Sequence, residues 1–290
     1  MKSKPKIVLL YKNSTYAEYF LNTQRRFSRL KGLFNSEEVQ RFRKTHESHF
    51  VALSYVEAVL KDAGLKYTKL CRGTPFNYHR FDFVITFGGD GTFLEAARNV
   101  KKQKIWGVNS DPKWSVGRFC SGNPKNFKSM LEDILKDQYR TKIFNRLQLD
   151  FDNGTQGIVA LNDVLICHQN PAAMSRYNLK LAKEKEEQKS SGVWVSTAAG
   201  SSGAIFSAGG KLLPEQSPLI QYRPRELYLG SGLKYNFTGN VITPKQEFLV
   251  TSLMREGVIF VDGSHVCLPF SFGTTVKIYK SSHPLKVIWS

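Results

Sequence analysis

Residues 83–92 read Phe83-Val84-Ile85-Thr86-Phe87-Gly88-Gly89-Asp90-Gly91-Thr92 and run on into Phe93-Leu94-Glu95-Ala96-Ala97. An apolar, β-rich run that meets a glycine turn and then a helix-forming segment has few ways to fold. It reads as a strand turning sharply into a helix, the unit from which parallel α/β sheets are built. The glycines permit backbone conformations and a closeness of ligand that a side chain would block, and N–H groups at a helix start favour anions. The segment is therefore a phosphate cradle in outline, with the helix expected over 93–100.

The flanking pattern agrees. Residues 6–11 predict a buried first strand, and 65–70, 83–87 and 105–108 predict three more. Between the first two, Val39, Phe42, His46, His49 or Phe50, Leu53, Val56 and Leu60 recur at three- and four-residue steps. They predict a helix over 37–63 that stops at Gly64. Beyond about residue 140 short β-rich runs separated by Gly, Asn, Pro and Ser take over, at 147–151, 158–166, 177–182, 193–196, 227–229, 248–253, 258–261 and 275–279. The charged 183–189 segment reads as an exposed turn or hairpin. The expected fold is an α/β N-terminal nucleotide-binding domain with a parallel sheet (1–140) plus an all-β, sandwich-like C-terminal domain (141–290). The last run, 285–289, is free to return to the first domain.

Forty-two Lys and Arg against 24 Asp and Glu give the 290 residues a formal charge of +18. Such a surplus favours anionic partners: phosphorylated metabolites, polyphosphate, nucleic acid or an acidic membrane. Arg25, Arg26, Arg29, Lys31, Arg41, Arg43 and Lys44 crowd segments that look helical, either as a solvated face or as a positive rim around a phosphate site. They lack the interleaved stacking aromatics of a single-strand reader, so no nucleic-acid partner is expected. Cys71, Cys120, Cys167 and Cys267 show no paired spacing and the six histidines are dispersed, which argues against a structural metal and for reduced thiols. The first apolar run is too short for a signal core or a membrane span, so the expected location is the cytoplasm, or an organelle after processing.

Asp90 is the unusual residue in the cradle. A carboxylate at a phosphate site repels its ligand, so it either caps the helix or does chemistry. Three glycines around it exceed what a cap requires. At this point Gly88-Gly89-Asp90-Gly91-Thr92 resembles the signature shared by NAD kinases and the diacylglycerol and sphingosine lipid kinases. Leu161-Asn162-Asp163-Val164 resembles the Asn-Glu element by which NAD kinases hold the adenosine ribose. The stretch from Ser190-Ser191-Gly192 through Ser196-Thr197-Ala198-Ala199-Gly200-Ser201-Ser202, followed by Ser207-Ala208-Gly209-Gly210, resembles their dinucleotide loop. The likeness implies a phosphotransferase that forms NADP from NAD, with ATP or polyphosphate as donor and Mg²⁺ between the phosphates. It implies Asp90 as the group that takes the hydroxyl proton and Gly88, Gly89, Gly91 and Thr92 under the donor phosphates. It further implies Asn162, Asp163, Ser191, Ser196, Thr197, Ser202 and Gly203 at the dinucleotide, and a homodimer or larger assembly.

The chain departs from the common bacterial pattern where Asp163 replaces Glu, Ser191 replaces Asp, and Ser202-Gly203-Ala204 replaces Thr-Ala-Tyr. Gln188-Lys189-Ser190-Ser191-Gly192 and Gly107-Val108-Asn109-Ser110-Asp111-Pro112 are similar instead to the mitochondrial-type NAD kinases. A lipid kinase, a non-catalytic dinucleotide sensor and a nucleic-acid binder are the rival readings. Asp111-Pro112 and Arg118 follow a strand at its ligand-binding end, as a phosphate grip or as a surface turn. Asp262-Gly263 reads as a hairpin turn, and His168 as an ordinary buried or edge histidine. No Gly-x-x-x-x-Gly-Lys-Ser/Thr loop and no Gly-x-Ser-x-Gly elbow occurs, so the sequence does not support a P-loop ATPase and disfavours serine hydrolysis.

Overall fold

The computed structural model describes residues 4–21 and 35–289. Strands β1 (Ile7–Tyr11), β2 (Tyr67–Cys71), β3 (Phe83–Gly88), β4 (Lys104–Asn109) and β5 (Cys120–Gly122) pair in parallel. With β6 (Arg140–Phe144) and the chain's last strand (Leu285–Trp289) they make a seven-stranded sheet, ordered β2-β1-β3-β4-last-β6 with β5 beside β4. All six residues of β3 are buried, as expected of a central parallel strand covered on both faces.

Helix α1 (Ser36–Asp62) begins with a capping box: Asn35 Oδ1 accepts the Glu38 N–H at 2.9 Å, and Glu38 accepts the Asn35 N–H at 3.0 Å. Its buried stripe is His49, Leu53, Val56, Val59 and Leu60, which settles the choice between His49 and Phe50. The aliphatic members pack with Ile7, Leu9, Ile85, Phe87, Trp106 and Val108 of the sheet. Gly64, at φ 64°, ends the helix in the left-handed region that glycine enters without strain. Helices α2 (Asp90–Asn99) and α3 (Phe127–Leu135) complete this unit, which runs to Lys142 and takes the chain back at Lys286.

The second unit, Ile143–Leu285, is built of antiparallel strands. They are β7 (Leu147–Phe151), β8 (Ile158–Ala160), β9 (Asp163–His168), β10 (Ser175–Leu181), β11 (Glu184–Ser190), β12 (Val193–Thr197), β13 (Ile220–Pro224), β14 (Asn240–Ile242), β15 (Phe248–Ser252), β16 (Gly257–Val261), β17 (Cys267–Pro269) and β18 (Thr275–Lys280). One sheet runs β11-β10-β15-β18-β7-β8 and the other β14-β13-β12-β9-β16-β17. Leu147, Leu149, Tyr177, Leu179 and Val250 of the first and Val164, Ile166, Val193, Val195 and Ile259 of the second share one apolar core, the arrangement of a sandwich. The chain's last strand, now β19, lies in the first sheet.

Several expectations are corrected. Helix α2 starts at Asp90, three residues before the expected Phe93. The run 158–166 is two strands broken at Leu161-Asn162. Residues 227–229 form no strand, because Pro224 closes β13 and Glu226 turns at φ 39°. The charged 183–189 segment, by contrast, resolves the choice between an exposed turn and a hairpin as a hairpin: β11 pairs with β10. Arg25, Arg26, Arg29 and Lys31 lie outside the described residues, and no described helix is long and apolar enough to cross a membrane.

Candidate functional site

In the first unit the glycine turn stands at the carboxyl end of β3. Gly89 takes the N-cap position of α2 and Asp90 is the first helical residue, so the Asp90 side chain does not cap. Its Oδ1 accepts the Phe119 N–H at 3.0 Å instead, and Oδ2 has no hydrogen-bond partner among the described residues. Phe119 ends the loop that follows β4, and that loop is fixed from within. The Ser110 N–H donates to the Gly88 carbonyl at 3.1 Å. Asn109 Nδ2 donates to the Ser115 carbonyl at 2.9 Å, while Asn109 Oδ1 accepts the Asp111 N–H at 3.0 Å. A Cβ on Gly89 would stand 2.5 Å from Ser115 Oγ, so the two loops approach closely and a larger residue here would make the Ser115 hydroxyl turn away.

Arg72, at the end of β2, supplies a cation. A Cβ on Gly91 would lie 3.0 Å from Arg72 Nη1, and Arg72 Nε pairs with Glu95 at 3.5 Å. The first turn of a helix leaves N–H groups without intrahelical partners, and together with Arg72 it favours negative charge beside Asp90. Thr92 is buried at 1% exposure, facing Gly88, so its side chain shapes the turn. Burial, and then the nearby Asp90 charge, push the Cys120 thiol up to about 12, which removes it as a nucleophile.

In the second unit the break between β8 and β9 is a constrained turn. Asp262, just past β16 and only 8% exposed, accepts the Leu161 N–H at 3.0 and 3.1 Å and the Asn162 N–H at 2.7 Å. Its own N–H donates to the Asp163 carbonyl at 2.9 Å. From the other side Thr197 Oγ1 donates to the Leu161 carbonyl at 2.6 Å and accepts the Gly200 N–H at 3.1 Å. A Cβ on Gly200 would fall 2.2 Å from the Asn162 carbonyl oxygen, so only glycine lets the loop after β12 lie against this turn. A Cβ on Gly203 would lie 3.5 Å from Asp163 Oδ2.

The result is a small polar cluster. Asn162 Oδ1 is buried with no partner among the described residues. Burial, and secondarily the Asp262 charge, raise the Asp163 carboxyl to about 7. A carboxyl poised there can donate or accept near neutral pH, and beside an unpaired amide oxygen it offers what a vicinal diol needs. Arg146, 1% exposed, donates from Nε and Nη2 to the His283 carbonyl at 2.9 and 2.7 Å. Burial lowers its guanidinium to about 10 while the Asp262 carboxylate opposes that fall.

Of the expected site residues, Gly88, Gly89, Asp90, Gly91 and Thr92 come together in one unit, and Asn162, Asp163 and Gly203 in the other. Ser202 is exposed in the same loop as Gly203. Ser196 and Thr197 are fully buried, and their hydroxyls bond backbone carbonyls, so they position the turn rather than meet a ligand through their side chains. Ser196 pairs with Asp163, but Ser191 precedes the far end of β12, five residues and roughly 16 Å of extended chain away. Asp262, Arg146 and Arg72 are the residues that sequence reasoning missed. The Asp-Gly pair does turn the chain after β16, yet the buried carboxylate also organises a segment 100 residues earlier. His168 closes β9, its Nδ1 accepting the Asn170 N–H at 3.0 Å.

Comparison with known proteins gives a consistent picture. Residues 17–139 match the ATP-NAD kinase N-terminal domain. A probable NADH kinase of Oryza sativa subsp. japonica is 29% identical over 263 residues, covering 83% of this chain and 81% of the relative. The NADH kinase of Arabidopsis thaliana is 29% identical over 281 residues, covering 88% of each. Among solved structures, an NAD kinase from Archaeoglobus fulgidus in complex with ATP superposes with a TM-score of 0.67 at 20% identity, over 97% of this chain and 92% of that one. Yeast NADH kinase complexed with NADH gives 0.68 at 14% identity, over 100% and 84%. At those identities the structures speak to the fold alone.

Proposed function

The chain belongs to the NAD kinase family, and from that premise we propose that it transfers the terminal phosphoryl group of ATP to the 2′-hydroxyl of the adenosine ribose of NAD or NADH. The observation that carries the reading is Asp90, the first residue of α2: one carboxylate oxygen is held by the Phe119 N–H, and the Arg72 guanidinium lies against the next residue, Gly91. Asp90 orients the hydroxyl and accepts its proton late, which suffices because phosphoryl transfer through a loose transition state needs little early deprotonation. The α2 N–H groups and Arg72 hold negative charge on the transferring group. Asn162 and Asp163 take the adenosine ribose hydroxyls, and the loop through Ser202 and Gly203 lies against the dinucleotide. Among the described residues no three His, Cys, Asp or Glu cluster to hold a metal. Mg²⁺, where it accompanies the donor, would be carried on the donor phosphates and would neutralise their charge.

Use of the reduced dinucleotide is favoured by the two plant relatives, named NADH kinases, which match over more than 80% of the chain. The test is NADP and NADPH formation by the purified chain from NAD and NADH, with ATP or polyphosphate and Mg²⁺. Product with either acceptor supports the proposal. Absence of product in all four combinations, with dinucleotide binding intact, would replace it with a sensor.

A further inference from the structure

Residues 208–219 of the second unit form neither helix nor strand. Such a stretch makes no ladder of its own, so its backbone groups find partners elsewhere. Buried and half-buried side chains outside it supply them. Gln221, on β13 and 2% exposed, accepts the Lys211 N–H on Oε1 at 2.9 Å and donates from Nε2 to the Lys211 carbonyl at 2.7 Å. Arg223, on the same strand, donates from Nε to the Ala208 carbonyl at 2.9 Å and from Nη1 to the Thr238 carbonyl at 2.8 Å. Ser201 Oγ accepts the Leu213 N–H at 3.0 Å, and Asn145 Nδ2 donates to the Gln216 and Ser217 carbonyls at 3.0 and 3.1 Å. The Gln221 pair is the most demanding of these bonds. Its carboxamide holds both backbone groups of one residue, which takes a donor and an acceptor side by side. A carboxylate would set oxygen against the Lys211 carbonyl, and asparagine is a methylene short.

The fastened segment bears on the site because of where Gln221 stands. Gln221 is in register with Ser196, and Ser196 with Asp163, so they share one row and one face across β13, β12 and β9. At strand spacing that puts the Gln221 backbone about 10 Å from that of Asp163. From Lys211 the constraint runs back toward Asp163 through close packing. The Gly210 N–H donates to the Ile205 carbonyl at 2.9 Å, and a Cβ on Gly210 would lie 2.8 Å from that oxygen and 3.1 Å from Gln221 Oε1. Ile205 belongs to the one-turn helix Ala204–Ser207, which follows Gly203, the residue that lies against the Asp163 carboxyl. We propose that Gln221, seconded by Arg223, is a positioning residue for dinucleotide binding: its two bonds to Lys211 hold the 203–211 turn in the shape against which the dinucleotide lies. The proposal rests on the kinase reading for the identity of the ligand, and it gives neither side chain a contact with that ligand or a part in the phosphoryl transfer.

The test is calorimetric titration of the full chain with NAD and with NADH, without ATP, beside kcat and KM from the kinase assay. Gln221→Leu removes both bonds to Lys211 and should raise the dinucleotide Kd and KM about tenfold while kcat stays within about twofold. Gln221→Glu keeps the accepting oxygen and should fall between Gln221→Leu and wild type; it carries the test if Gln221→Leu does not fold. Arg223→Lys, which cannot reach the Ala208 and Thr238 carbonyls together, should raise Kd severalfold. Ile278→Val, a core substitution in β18, controls for lost stability and should leave Kd unchanged. Hydrogen exchange at the Lys211 amide should speed up in Gln221→Leu and not in Ile278→Val. A folded Gln221 variant whose Kd matches that of Ile278→Val, or whose kcat falls while Kd holds, would overturn the proposal. Dinucleotide binding with these variant effects but no NADP or NADPH formation would leave the positioning role standing and sink the kinase reading instead, whereas a wild type that binds neither NAD nor NADH would overturn both.

Discussion

Replacing Asp163 with asparagine should stabilise the protein, and by more at pH 8 than at pH 5. The folded carboxyl sits at about 7 against an ordinary 3.8. Below the lower value the group is protonated in both folded and unfolded chains and contributes nothing. Between the two values the unfolded chain gives up its proton while the folded one keeps it, so stability falls as pH rises, and above 7 the cost is constant. Each pKa unit is about 1.36 kcal/mol, so the full penalty is roughly 4 kcal/mol, of which roughly 2.5 kcal/mol develops between pH 5 and 8. Asparagine keeps the shape of the side chain and carries no such penalty. Denaturant melts of wild type and Asp163→Asn at both pH values should show the gap widening by that amount in favour of the variant. The same variant should bind dinucleotide more weakly, because an amide cannot supply the carboxyl's acceptor pair. A gap that is flat with pH, or that narrows as pH rises, would refute the argument that burial beside Asp262 holds this carboxyl high.

Other outcomes follow from the same turn. Gly200→Ala puts a carbon 2.2 Å from the Asn162 carbonyl and should cost about 1–3 kcal/mol in a denaturant melt while raising the dinucleotide KM. Asp262→Ala leaves the Leu161 and Asn162 N–H groups unpaired and should cost about 1–3 kcal/mol, with Asp262→Asn recovering much of both stability and KM because it keeps an accepting oxygen. If Asp262→Ala raises the dinucleotide KM no more than a distant core substitution of equal cost does, its positioning role is wrong.

The parts of the fold legible in the sequence are those where local pattern and final environment agree. The apolar run 83–87 is a central strand because every residue in it wants burial, and Gly88-Gly89 marks its end. The helix after it starts earlier than expected because Asp90, Gly91 and Thr92 are poor helix formers in general but well suited to a first turn. Strand β11 was legible only as one of two readings, an exposed turn or a hairpin, because Glu184-Lys185-Glu186-Glu187-Gln188-Lys189-Ser190 has the composition of a solvated segment. It is an edge strand, where charges discourage further pairing, and its order comes from β10 and from Gln188, whose Nε2 donates to the Phe237 carbonyl at 2.8 Å. At the site, Asp90 and Asn162-Asp163 stood out through motif context. Asp262, Arg146 and Arg72 did not, since their partners lie far away in sequence and nothing local marks a carboxylate or guanidinium that will be buried.

The most direct test of the central claim is kcat for NADP or NADPH formation in wild type and Asp90→Asn under saturating acceptor, ATP and Mg²⁺. Asparagine retains an oxygen for the Phe119 N–H, so the loop and the melting temperature should be unchanged. The account predicts a fall in kcat of about 10²–10⁴ with the dinucleotide KM nearly constant. A folded Asp90→Asn enzyme that turns over within a few-fold of wild type would contradict it.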